Sequence, residues 1–203
     1  MNFALVIGLV TAVGAYFSFR APTAGEMVAS FAEAQRFYAE GAYDQAIERY
    51  SQVAKVHSRV LNAATIQVEV GENAFPVREA ALYQTGNSHV KLFADYRRFS
   101  TGSETAIARD EYRILADSAF AGAVQAFERI IAKASNPMLQ GQAHGRLIEL
   151  YFDAGDYGNV IRSARRLIDT HGGDSYALVG HYNLGWAYYD RGEHAEAIDA
   201  FEA

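Results

Sequence analysis

Hydrophobic positions recur at helical spacing along most of the chain. From Met27 to Tyr38 they place Phe31, Ala34, Phe37 and Tyr38 on one face, which predicts an amphipathic helix. Gly41 interrupts it, and Asp44 to Val56 reads as a second helix. Residues 57–77 lose the period. Ile66-Gln67-Val68-Glu69-Val70 alternates as a strand does, but one strand has no pairing partner, and Gly71-Glu72-Asn73 followed by Pro76 reads as loop. Helical spacing returns from Val77 to Phe99. Ser100-Thr101-Gly102-Ser103 predicts a break, with Ser103 or Thr101 capping a helix that runs from near Glu104 to Ala116. That helix is expected to pair with one over Ser118 to Ala134, and Asn136-Pro137 closes the unit. Beyond it the pattern is regular up to a final helix over Glu193 to Ala203.

The breaks share a frame. The last reads Gly192-x-His194-x2-Ala197-x3-Phe201, and earlier ones read Gly155-x-Tyr157-x2-Val160-x3-Ala164, Ser118-x-Phe120-x2-Ala123-x3-Phe127 and Gly41-x-Tyr43-x2-Ala46-x3-Tyr50. Their leading residues are 77, 37 and 37 positions apart, so the wide gap has room for one irregular unit, which Ala81-Leu82-Tyr83-x2-Gly86 opens. With Leu184-Gly185-x2-Tyr188 ahead of Gly192, the last unit resembles a tetratricopeptide repeat (TPR), whose pattern is W-x2-L-G-x2-Y…A-x3-F over a period of about 34 residues. His181 stands in the Trp place, and Trp186 lies inside the helix.

The resemblance implies an all-α fold, a TPR-like α-solenoid of antiparallel helical hairpins. No hairpin of that kind buries its core alone, and each is covered by the next. Gly185 is expected to face Ala197 across the last pair. The polar helix that usually caps such an array is absent from the sequence, so Phe201 and Trp186 are expected at an open end, met by further chain or by a partner.

At 203 residues and 50% hydrophobic, the chain can build a core that a solenoid spreads along its length. A net charge of −6 argues against nucleic acid, whose phosphates need a basic face. The absence of Cys removes disulfides, thiolate metal sites and thiol catalysis. The six His show no H-E-x-x-H spacing, and His144 and His181, at equivalent places one repeat apart, read as packing residues. There is no G-x-S-x-G elbow and no phosphate-cradling loop. No enzyme activity, cofactor or metal is expected.

The N-terminus has a different character. Phe3 to Phe19 are 17 residues without a charge, closed by Arg20. As a helix they span about 26 Å, and Met1 and Asn2 bring the length close to the roughly 30 Å of a hydrocarbon core. No Lys or Arg precedes the run and no A-x-A site follows it cleanly, which favours a retained anchor over a cleaved signal peptide. The expected division is a transmembrane anchor at 1–20, a linker at 21–26 and a repeat domain at 27–203. Arg20 and Arg36 follow the span and none precedes it, which places the repeats on the cytoplasmic face of an inner membrane. In layout the chain resembles the inner-membrane TPR proteins of lipopolysaccharide assembly. Ala4, Gly8, Ala12 and Ala15 form a stripe of small residues suited to packing against another span.

In TPR proteins the first helices of successive hairpins line a groove. By spacing, the resemblance assigns Phe31, Tyr38, Glu149, Phe152, Tyr182, Trp186 and Tyr189 to it, with Asp153 and Asp190 alongside. The Lys and Asn set of chaperone-binding TPR domains is missing. Aromatic residues supply large contact area and suit an apolar or helical segment of a protein partner. The function expected is a non-catalytic, membrane-anchored scaffold that recruits or stabilises an integral membrane complex. The alternatives are a periplasmic adaptor of cell-envelope assembly machinery, or an enzyme subunit whose site lies in a further domain.

Overall fold

The computed structural model describes residues 22–56, 65–173 and 175–203. The expected anchor at 1–20, with its stripe of Ala4, Gly8, Ala12 and Ala15, lies outside the described residues. Among the described residues, no helix is long and apolar enough to cross a membrane.

The first helix, α1 (Ala24–Ala39), starts inside the stretch expected as linker, because Thr23 and Glu26 form a capping box. The Thr23 hydroxyl accepts from the Glu26 amide at 3.2 Å, and the Thr23 amide donates to Glu26 Oε2 at 2.7 Å, so two orphan amides are satisfied reciprocally. Helix α2 (Tyr43–Lys55) returns antiparallel. The turn between them recurs twice more, between α5 (Pro137–Ala154) and α6 (Tyr157–His171), and between α7 (Ser175–Asp190) and α8 (His194–Glu202). Its glycines, Gly41, Gly155 and Gly192, have φ of +78°, +73° and +78°. In each turn the residue after the glycine donates to a carbonyl five residues back: Ala42 to Phe37 at 2.8 Å, Asp156 to Tyr151 at 2.9 Å, Glu193 to Tyr188 at 2.9 Å. Only glycine enters this left-handed helix stop without Cβ strain.

Ser118 does not make that turn. It lies inside α4 (Ala106–Lys133), which pairs along its length with α3 (Val77–Gly102). No described residue other than glycine has a positive φ, and a serine in mid-helix has no reason to stop it. The expected pair of helices over 104–116 and 118–134 is therefore a single helix. Its cap is Thr105, whose hydroxyl accepts from the Ala108 amide at 3.2 Å. Thr101 and Ser103 instead turn their hydroxyls back to α3 carbonyls, Thr101 to Arg98 at 2.9 Å and Ser103 to Phe99 at 2.6 Å. Local back-bonding of this kind competes with the capping role.

The loop expected at 71–76 is also corrected. β1 (Gln67–Val70) and β2 (Asn73–Pro76) form an antiparallel hairpin with Val70 opposite Asn73. Gly71, at φ +61°, is the first residue of a two-residue turn, a position that favours glycine. Val68 and Phe75 are buried, the Val77 amide extends the ladder to the Ile66 carbonyl at 2.8 Å, and Gln35 of α1 donates to the Glu69 carbonyl at 3.1 Å.

Among the described residues, four helical hairpins thus stack in order. Each helix packs on the next, and the first helix of each hairpin also meets the first helix of the following one. Within a hairpin the helices cross where a small residue faces a large one. A Cβ built on Gly86 would lie 2.7 Å from the Phe127 ring, and one on Gly185 would lie 2.4 Å from the Phe201 ring. A side chain on Gly185 would meet the Phe201 ring first, one turn on from Ala197, which is itself buried. In α5–α6 the sizes are exchanged, with Ile148 and Ala164 fully buried at the equivalent positions.

Candidate functional site

A groove runs between α3, α5 and α7, with the β1–β2 turn on its rim and a volume of about 590 Å³. Tyr83 and Asn87 come from α3, Arg146 and Glu149 from α5, and Tyr176 and Val179 from α7. Arg146 ties the helices together: its Nε donates to Asn87 Oδ1 at 3.1 Å, and a terminal nitrogen donates to Glu149 Oε2 at 2.7 Å. The Asn87 amide nitrogen donates to Gln84 Oε1 at 2.7 Å. Burial pushes the Tyr83 phenol above its ordinary pKa, which keeps it a neutral hydrogen-bonding group. Gly141 admits the Tyr176 ring, which a Cβ there would meet at 2.5 Å, and the Tyr176 hydroxyl donates to the Met138 carbonyl at 3.2 Å. The groove offers donors and acceptors held in place yet open to exchange, since the Arg146–Glu149 pair is largely solvated and worth roughly 0–1 kcal/mol.

The residues assigned to a groove from sequence fall in separate places. Glu149 lines the groove. Phe31, only 2% exposed, is core and packs edge-on to Tyr50 at 5.3 Å, because the same α1 face that spacing brings outward is covered by α2. Tyr38 and Phe152 are half-buried against Tyr43 (5.5 Å) and Tyr157 (5.9 Å), each closing the base of its own glycine turn. Tyr182, Trp186 and Tyr189 do gather on one face, with ring centroids 6.2 and 5.6 Å apart. Phe201 joins them at 5.8 Å from Trp186. They are 59%, 41% and 52% exposed, and Phe201 47%. Val179, which lines the groove, stands three residues before Tyr182 on the same helix face, and Tyr182 and Trp186 occupy the places of the groove-lining Gly145 and Glu149 one repeat on.

His144 behaves as the packing residue expected. It is buried with its ring edge-on to His171 at 6.2 Å, and its Nδ1 has no hydrogen-bond partner. Burial lowers its pKa to about 4, helped by the charges of Arg166 and His171. Among the described residues no three metal-ligating side chains come together. Sequence reasoning missed Asn87 and Arg146, whose contact joins residues 59 apart, and the signal closest to revealing the groove was the Gly141–Gly145 pair one turn apart on α5.

Comparison with known proteins bears on the end of the stack. The final hairpin matches the tetratricopeptide repeat. The family model covers residues 179–203, which is most of α7 and all of α8. No curated protein matches the chain. The crystal structure of nearly identical TPR-like repeats from a Podosopora anserina protein described as a kinesin light chain superposes with a TM-score of 0.38 at 15% identity, over 89% of this chain and 93% of that one. At that level the likeness carries no argument, and the case for TPR-like hairpins rests on the packing above and on the match at 179–203. TPR repeats mediate protein–protein interaction and typically serve as non-catalytic scaffolds.

Proposed function

We propose that the chain is a non-catalytic scaffold that holds a protein partner in the groove between α3, α5 and α7. One observation carries this reading: Arg146 reaches from α5 to Asn87 on α3, so polar side chains of two hairpins converge on one groove beside two tyrosines. Residues 1–20 then tether the scaffold to the inner membrane, with the repeats on the cytoplasmic face, where it recruits or stabilises an integral membrane complex. The 17 uncharged residues closed by Arg20 support the tether.

Partner recovery from the full chain in mild detergent tests the groove. The Asn87→Ala/Arg146→Ala variant is expected to lose the partner while retaining helicity, and undiminished recovery would remove the groove from the proposal. Fractionation tests the tether separately. A chain lacking residues 1–19 should leave the membrane after a high-salt wash, and its retention there would count against the anchor.

A further inference from the structure

The long hairpin overshoots its neighbour. Where α5 ends at the Gly155 turn, α3 and α4 run on, and a notch of about 470 Å³ opens between them and the start of α6. Its floor is apolar: Phe93, Ala116, Phe120 and Ala154. The two rings lie 5.4 Å apart, and Tyr151 stands edge-on to Phe120 at 5.8 Å. No residue lines both this notch and the groove between α3, α5 and α7.

Four charged side chains rim the floor, and their commitments differ. Asp156 caps α6, its oxygens accepting from the Asn159 amide at 3.1 Å and from Asn159 Nδ2 at 2.6 Å. Arg113 pairs with Asp110 of its own helix at 3.3 Å. Arg97 is held in place. It lies over the Phe93 ring at 5.3 Å and donates one terminal nitrogen to the Asp153 carbonyl, which leaves Nε and the other terminal nitrogen unspent. Asp117 takes part in no hydrogen bond or ion pair among the described residues. The notch therefore carries one unspent cation on α3 and one unspent carboxylate on α4, beside an aromatic floor.

A purely apolar ligand would leave both charges unmatched, and a ligand of one sign would match one and be repelled by the other. The complement carries both signs. We infer that the notch binds a peptide segment of a partner that presents an acidic, an apolar and a basic side chain along one face. The acidic group meets Arg97, the apolar one rests on Phe93 and Phe120, and the basic one meets Asp117. This inference does not rest on the groove reading.

The probes are end-blocked pentapeptides, Lys-Ser-Phe-Ser-Glu with its Lys/Lys and Glu/Glu counterparts, since alternate residues of an extended chain point to one side. The central residue is para-fluorophenylalanine, and its fluorine resonance is followed as the full chain is titrated in nonionic detergent. Physiological salt screens the chain's net charge. The mixed peptide should shift and saturate, and each like-charged peptide should bind about threefold more weakly, the worth of a solvated ion pair. Asp117→Asn should erase the advantage over the Glu/Glu peptide and keep that over Lys/Lys, and Arg97→Gln should do the reverse. Ala154→Leu, which fills the notch from an exposed position, should abolish the shift with helicity unchanged. The Asn87→Ala/Arg146→Ala variant should leave every affinity as it was, so failure of the groove is distinguished from failure of the notch. Equal binding of the three peptides, advantages that vanish together in either charge variant, or a shift that survives Ala154→Leu would overturn the inference. So would free phenylalanine binding as tightly as the mixed peptide, which assigns the notch to a small zwitterion.

Discussion

The long hairpin α3–α4 and the last hairpin α7–α8 are built on the same crossing. Gly86 meets Phe127 in one and Gly185 meets Phe201 in the other, each with an alanine one turn earlier on the second helix. What differs is the distance to the turn. Gly86 and Ala123 are 37 residues apart, and Gly185 and Ala197 only 12. The last hairpin closes at once through the left-handed Gly192, while the long one runs on to a capped break at Ser103–Thr105. A repeat of this kind is defined by its crossing, and its turn can move outward without disturbing the stack. The extension also builds a cavity of about 470 Å³ between Phe93, Arg97, Phe120 and Ala154, where Arg97 lies over the Phe93 ring and donates to the Asp153 carbonyl.

The sharpest way to break this comparison is to place a side chain at each crossing. Phe127 is fully buried and has nowhere to go, so Gly86→Leu should cost about 3 kcal/mol or more. Phe201 is half in solvent and can swing aside, so Gly185→Leu should cost nearer 1 kcal/mol. Chemical denaturation of both variants checks the order, and equal losses would contradict the crossing as described.

Next in size is an effect of pH located in the hairpin between the two. His144 is held at a pKa of about 4, below the roughly 6.5 of an unfolded histidine, so the unfolded chain takes up the proton first. Its contribution is intact above about pH 6.5 and declines as pH falls towards 4, by up to about 3 kcal/mol. His89, packed against Gly122 in the long hairpin and also lowered by burial, adds in the same direction. His144→Leu should flatten that part of the pH–stability curve, and an unchanged slope would contradict the burial of this ring.

Smaller changes separate real turns from false ones. Gly192→Ala forces a Cβ into the left-handed region and should cost about 1–2 kcal/mol. Ser118→Ala, exposed in mid-helix, should stay within about 0.5 kcal/mol. Melting of the two variants tests whether the glycine frame or the serine frame marks a turn. Trp186→Ala should lower stability by about 1–2 kcal/mol, less than a fully buried ring would, since 41% of the residue is already in water. A loss of several kcal/mol would show Trp186 to be core.

The residues themselves explain what was legible. Gly41, Gly155 and Gly192 announce their turns because left-handed backbone selects for glycine. Ser118 matched through Phe120, Ala123 and Phe127, which belong to the packing of α4 on its neighbours and say nothing of where the chain turns. The β-hairpin was hidden because Asn73–Pro76 ends in a residue that reads as a breaker, although a proline is tolerated at the end of an edge strand. Tyr182, Trp186 and Tyr189 share a face by spacing alone, and that was readable. Which side of the stack the face meets depends on how α7 lies on α5 and α6. The Asn87–Arg146 bond depends on stacking in the same way.

The length of α3 and α4 also orders how the molecule comes apart. In a linear stack each unit is stabilised by its immediate neighbours, so opening proceeds from the ends towards the most extensive interface. Amide hydrogens should exchange last along Ala116–Ile130, within the most extensive of these interfaces. A ligand seated in the groove would then slow exchange in α3, α5 and α7 together, because binding draws on the closed form alone. The hairpin that opens last is the one that supplies Tyr83 and Asn87 to that groove.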